Sequence, residues 1–238
     1  MDNTVYATLN RQTGLLRDMR TVAQNIANSG TTGYRAENVV FSEYVRDLGP
    51  GEASLSMAEA AARSTDQTQG ALTLTNGTFD LAIEGEGYFL VATPEGERLT
   101  RAGAFTPSQD SLLVAPDGAL LLDAGGAPIF VPPDARSVTI GSDGTLSADG
   151  NPVAQVGLWA PADPLAMTRA EGTRFDPGGA PQPVADPRIL QGFLESSNVV
   201  AIHEITRMIE VQRAYELGQT FLDREDERIR STIRTAGQ

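Results

Sequence analysis

Cysteine is absent from the chain, and so is lysine: all 18 basic residues are arginine. Such a sequence has no disulfide, no thiolate metal site and no cysteine nucleophile. A single histidine, His203, leaves few routes to an imidazole-based active site. No apolar run approaches the ~18 residues of a membrane-spanning helix. The opening MDNTVYATLNRQ has neither a basic flank nor an apolar centre, so no cleavable signal peptide is expected. Positive charge is also scarce. With 31 acidic residues the net charge is −13, which argues against a nucleic-acid partner, since phosphate binding needs clustered cations. It argues equally against docking on anionic lipid, and with no membrane-length apolar run no direct membrane insertion is expected.

The remaining composition is that of a folded protein. Of 238 residues, 40% are apolar and 21% charged, which is enough for one medium domain with extensions or for two small ones. The N-terminal segment is helical by pattern. Asp2, Asn3 and Thr4 can each cap it, and Val5, Leu9, Gln12, Leu16, Met19, Ala23 and Ile26 recur at steps of four and three, a heptad seam with one polar member. Asn28-Ser29-Gly30 reads as a left-handed stop and Gly33 as a second break. At 1.5 Å per residue such a helix is roughly 35–40 Å long.

The chain then changes texture twice. Residues 31–70 read as a connector, in which NVVFSEYV (38–45) suits a short strand or a turn of helix and MAEAAARS (57–64) reads helical. From 71 to 190, short apolar or alternating runs are separated by turn pairs such as Asn76-Gly77, Asp117-Gly118, Asp143-Gly144 and Asp149-Gly150. That spacing predicts an antiparallel β-domain. Residues 191–238 turn helical again, with Ser196-Ser197-Asn198 offering caps. Met208, Tyr215, Leu222 and Ile229 recur every seven residues, and Ile205, Gln212, Gln219, Asp226 and Ile233 form a more polar second leg. The expected fold class is therefore α+β, with N- and C-terminal heptad helices flanking a central antiparallel all-β domain. Each terminal helix has an apolar stripe and no local partner. The stripes either pack on each other and on the β-domain within the monomer, or await other copies and related chains. An isolated helix of this length is marginal in water and is expected to fray until its seam is buried.

Candidates for chemistry are few. Asp80, Glu84 and Glu86 lie in one hairpin and suit a glycoside-cleaving pair only if Gly85 leaves them on one strand face; acidic residues on a solvated β-face are far commoner. Gly85-Glu86-Gly87 lacks the continuation of a dinucleotide fingerprint. SDGTLSADGN (142–151) lacks the closing glutamate of a calcium loop and reads as hairpin turns. His203 stands at a helix start, and Trp159 and Phe193 read as packing residues. No catalytic, cofactor or metal site is expected.

Three stretches resemble the flagellar basal-body rod and hook family of axial proteins. LRDMRTVAQNIANSGTTGYR is similar to the family's N-terminal helix and break. NGTFDLAIEGEGYFLVATPEGERLTRAGAF resembles its β-segment, and QGFLESSNVVAIHEITRMIEVQRAYE its closing motif. The shorter, proximal members are nearest in length and opening, with distal members the near alternative. The resemblance implies a non-enzymatic building block of the rod crossing the periplasm. Such a subunit leaves the cell by the flagellar type III export apparatus without a cleavable signal and polymerises helically with copies of itself and other rod proteins. Its helical ends form the inner layer, with Leu9, Leu16, Met19, Ala23, Ile26, Asn28, Gly33, Tyr34, Met208, Ile209, Gln212, Tyr215, Leu222 and Ile229 as assembly-interface residues. Asn28 to Gly33 are expected to turn the chain out of that layer, and Tyr34-Arg35 to anchor the exit. A glycan-active β-domain with oligomerisation arms, or a secreted adhesin or tail-fibre protein, is the competing class.

Overall fold

The computed structural model describes residues 2–46 and 55–236, apart from the side chains of 2–4, 42–46, 55–61 and 236. The expected caps Asp2, Asn3 and Thr4 and the 47–54 part of the connector lie outside those descriptions. The fold is α+β. The chain forms two compact units, one from Met1–Ser29, Ala36–Asp66 and Val199–Gln238, the other from Gly30–Arg35 and Gln67–Asn198.

The first unit contains α1 (Asp2–Ala27), β1 (Glu37–Arg46), β2 (Leu55–Thr65) and α2 (Ala201–Ala236). α1 packs on α2 and also on both strands of the β1–β2 hairpin. Gln12 meets Tyr215, Asp18 meets Arg207 and Asn25 meets Glu204, so the two helices run antiparallel. The helical reading of 57–64 is corrected. These residues form β2, pairing antiparallel with β1 in a register that sets Ala62 opposite Val40 and Ala60 opposite Phe41, across a bulge. Methionine, alanine and glutamate are good helix formers, but intrinsic propensity is a weak determinant and a ten-residue ladder overrides it.

The ends of both helices also differ from expectation. α1 closes through side chains. Asn28 Nδ2 donates to the Gln24 carbonyl at 2.8 Å and Ser29 Oγ to that of Ile26 at 2.9 Å, doubling the backbone N–H groups of the same two residues on those carbonyls. The left-handed residue is Gly33, at φ 69°, and not Gly30. α2 starts at Ala201, where the Val200 carbonyl accepts from the N–H groups of His203 and Glu204. Ser196 and Asn198 also bond back to the β-domain. Their backbone and side-chain donors go to the carbonyls of Ala71 and Thr68.

The second unit is the β-domain, and its described strand pairings are all antiparallel. Tyr88–Thr93 is central, hydrogen-bonded to Gly96–Thr100, Leu120–Leu121 and Leu158–Ala160. Its near-continuous apolar run follows from burial on both faces. Phe89 and Val91 enter one core cluster with Leu81, Phe105 and Leu146, while Tyr88 and Leu90 enter another with Leu99 and Phe175. Edge-to-face aromatic pairs stand in each, Phe89 with Phe105 at 5.5 Å and Tyr88 with Phe175 at 5.9 Å. The last strands of this unit, Ile189–Gln191 and Phe193–Glu195, pair with its first, Leu81–Ile83 and Leu72–Leu74. The segment's return is thereby sewn to its entry.

Candidate assembly interface

The break after α1 leads into a buried charged cluster. Gly33 donates its N–H to the Glu195 carbonyl at 2.8 Å. A side chain at Gly33 would begin 2.2 Å from the Ala102 nitrogen, so both its φ and the close approach require glycine. Arg35 and Glu195 are each only 1% exposed, and Arg101 4%. Glu195 accepts from Arg35 Nη2 at 2.9 Å, Arg101 Nη1 at 3.2 Å and the Gly70 N–H at 3.0 Å. Arg35 also donates to the Thr68 carbonyl, and Arg101 to that of Gly85 at 2.7 Å. Tyr34 is buried under the Arg169 guanidinium, 4.4 Å from its ring centroid, and that guanidinium also covers Phe175 at 4.7 Å. Tyr34 thus packs within its own unit, because its ring already has a cationic cover there.

Two guanidiniums share one carboxylate, so the cluster carries surplus positive charge in a buried place. Burial holds the Arg101 guanidinium below its ordinary value, with Glu195 opposing and Arg35 adding to that drop. Burial likewise pushes the Tyr88 phenol up, so it stays a neutral donor to Gln67. Arg35 belongs to the N-terminal stretch, Arg101 to the β-segment and Glu195 to the closing stretch. The three sequence stretches singled out above therefore meet at one carboxylate. That role was not read from the sequence. Each stretch carries several charged residues, and nothing in the sequence singles out Arg35, Arg101 and Glu195 among them.

In the helical unit the inward face is more polar than a heptad seam. Gln12 is buried; its Nε2 donates to the Tyr215 carbonyl at 2.9 Å and lies where a side chain on Gly218 would stand. Arg207 bridges Asp18 Oδ1 at 3.0 Å and Asn38 Oδ1 at 2.9 Å. Burial raises the Asp18 carboxyl even so, with Arg207 opposing. Asn25 exchanges two hydrogen bonds with the backbone of Glu37, at 2.9 and 3.0 Å, and its amide also reaches Glu204. Val22 and Val211 supply the fully apolar contacts.

The candidate interface residues divide between inward and outward faces. Met19, Ile26, Asn28, Met208, Tyr215 and Leu222 are half-buried, and Gly33 and Tyr34 are buried. Leu9 at 46% exposure, Leu16 at 38%, Ala23, Ile209, Gln212 and Ile229 face outward. Tyr6, Ile202, Ile205, Leu217, Phe221 and Ile233 join them. Large apolar side chains left exposed in this number along two helices are what a partner surface would use.

The alternative chemistries find no support in the geometry. The strand ends at Ile83 and resumes at Tyr88, so Asp80, Glu84 and Glu86 do not share one strand face. Asp80 accepts from the Thr75 hydroxyl at 2.6 Å, and exposed Glu84 faces Arg188 at 3.8 Å. Asp143 is held below the usual carboxylate range by the Thr145 N–H and hydroxyl, as in a hairpin turn. Trp159 packs at the edge of the second core cluster, Phe193 pairs with Leu74, and His203 is exposed in the first turn of α2.

Comparison with known proteins agrees with the three stretches. The family model of the flagellar hook protein FlgE/F/G D1 domain matches residues 82–148, and that of the flagellar basal body rod FlgEFG protein C-terminal matches 190–235. The flagellar basal-body rod protein FlgF of Caulobacter vibrioides is 41% identical over 100% of this chain and 99% of its own. FlgF of Mesorhizobium japonicum is 36% identical, covering 91% and 90%, and the rod protein FlgG of Bacillus subtilis 28%, covering 98% of each. The chain belongs to the flagellar basal-body rod protein family and is most like its FlgF members.

Proposed function

We propose that this structural rod subunit polymerises helically through the outward faces of α1 and α2, giving a stiff shaft that transmits rotation. The single observation that carries the reading is the apolar residues left exposed on a helix pair whose inner face is already packed, Leu9, Leu16 and Ile209 among them. Burying each such side chain contributes roughly 1.5–3 kcal/mol, so a few per subunit suffice to hold a neighbour. Contacts between unlike faces do not close on themselves and so extend into a filament. The partners are copies of this chain and the neighbouring rod proteins, and the location is the basal body. The subunit works without catalysis or cofactor and travels through the flagellar export apparatus. No described helix is long and apolar enough to cross a membrane.

Leu16→Asp or Ile209→Asp, placed in a strain lacking the native copy, is expected to abolish swimming and recovery of the chain in hook–basal-body preparations. The purified variant's β-domain is expected to melt unchanged. Normal swimming of both variants defeats the reading.

A further inference from the structure

α2 carries two different outward stripes. Within residues 202–224, at 100° per residue, Ile202, Ile205, Ile209, Gln212, Glu216 and Asp223 fall on one arc of about 80°. All six are exposed. A second arc, centred about 100° away, holds Arg213, Leu217, Phe221 and Arg224, also exposed, with Glu210 as its one acid. Leu217, 73% exposed, and Phe221 form one wall of a groove of about 360 Å³ whose opposite wall is Thr8, Arg11 and Leu15 of α1. Gln12 lines that groove, is 5% exposed, and its Oε1 has no hydrogen-bond partner among the described residues. The groove is thus apolar and basic at its rim, with a buried acceptor awaiting a donor. The first stripe is apolar and acidic, with the amide donor Gln212 at its middle.

We propose that the groove of one copy receives the Ile202–Asp223 stripe of a second copy of this chain. The inference rests on the reading of α1 and α2 as the assembly surface. Isoleucines cover Leu217 and Phe221, Glu216 and Asp223 meet Arg11, Arg213 and Arg224, and the Gln212 amide serves the Gln12 oxygen. Apolar area supplies the holding energy, while the charges set partner and polarity. The two faces lie on different sides of one helix, so the contact is head-to-tail and propagates.

The test exchanges charges between faces in a strain lacking the native copy. Arg213→Glu with Arg224→Glu, and separately Glu216→Arg with Asp223→Arg, are each expected to cut swimming about tenfold or more. Combining all four changes in one chain is expected to restore it, and so is co-expressing the two double variants, since each then finds a complementary neighbour. Undiminished swimming of either double variant overturns the proposal. Loss without rescue also overturns it, because another rod protein then occupies the groove; the general assembly reading stands in that case if Leu16→Asp is immotile, and falls if Leu16→Asp swims. The absence of native cysteine permits a second measurement. Leu217→Cys with Ile209→Cys in one chain is expected to give an oxidised ladder of multimers in basal bodies, and either single change no cross-link. A dimer from Leu217→Cys alone indicates groove-to-groove pairing and overturns the polarity.

Discussion

At the scale of single residues, the determining group is Glu195. Among the described residues it is the only carboxylate paired with the two buried guanidiniums, Arg35 and Arg101. Removing its charge leaves both cations uncompensated, an effect of about 3–5 kcal/mol. Glu195→Gln is therefore expected to shift the denaturant midpoint of the β-domain strongly downward. The chain's one tryptophan, Trp159, lies in this domain and reports the transition by fluorescence. Tyr88 gives a pH signature at the same place. Its folded value is raised by burial, so the stability it contributes is fully present below about pH 10 and is lost as pH rises through the raised value. Tyr88→Phe is expected to lower stability by about 1 kcal/mol at neutral pH through loss of the Gln67 bond. Above pH 10 its stability falls less steeply than that of the parent, by up to about 1.4 kcal/mol per pH unit.

At the scale of elements, α1 depends on one amide and α2 on very little after its midpoint. Asn25 acts as a strand edge would, trading two hydrogen bonds with the Glu37 backbone. Asn25→Ala is expected to destabilise the hairpin's attachment by about 1–3 kcal/mol, seen as faster hydrogen exchange at the amide of Glu37. Beyond Leu222 every described side chain of α2 is exposed except half-buried Glu225. The ion pairs Glu225–Arg228 and Asp226–Arg230 lie on the helix surface, where solvent screens them, and hold the tail only weakly. In the purified monomer, trypsin is expected to cut first after Arg224, Arg228, Arg230 and Arg234, with the β-domain surviving; equal resistance of tail and β-domain defeats this account. The two helices and the strand–turn spacing were legible because periodicity and turn residues are local signals. β2 was not, because its alanine-rich segment prefers helix until β1 lies beside it. The Arg35–Arg101–Glu195 cluster was not legible either: Arg101 and Glu195 are 94 positions apart, and charge alone predicts exposure. The inward turn of Gln12 and the outward turn of Leu9 and Leu16 were hidden for a related reason. A heptad pattern marks a stripe without saying which partner covers it.

At the scale of the whole molecule, assembly is expected to divide into apolar holding and electrostatic selection. Raising salt from 50 to 500 mM is expected to weaken choice of partner more than the contact itself, because exposed charges are screened and apolar burial is not. Sedimentation of the chain mixed with its charge-reversed double variants measures this directly. At low salt the complementary mixture associates and each variant alone does not, and at high salt the difference narrows.

The helical unit is built from the first residues of the chain, a middle hairpin and the last residues. A nascent chain exposes α1 long before α2 exists, and Gln12 has nothing to sit upon until Gly218 and Tyr215 have been made. A product cut short after the β-domain could fold that domain and still lack the groove wall formed by Leu217 and Phe221. A chain without α2 therefore loses both the seat of Gln12 and the groove wall that the proposed contact uses.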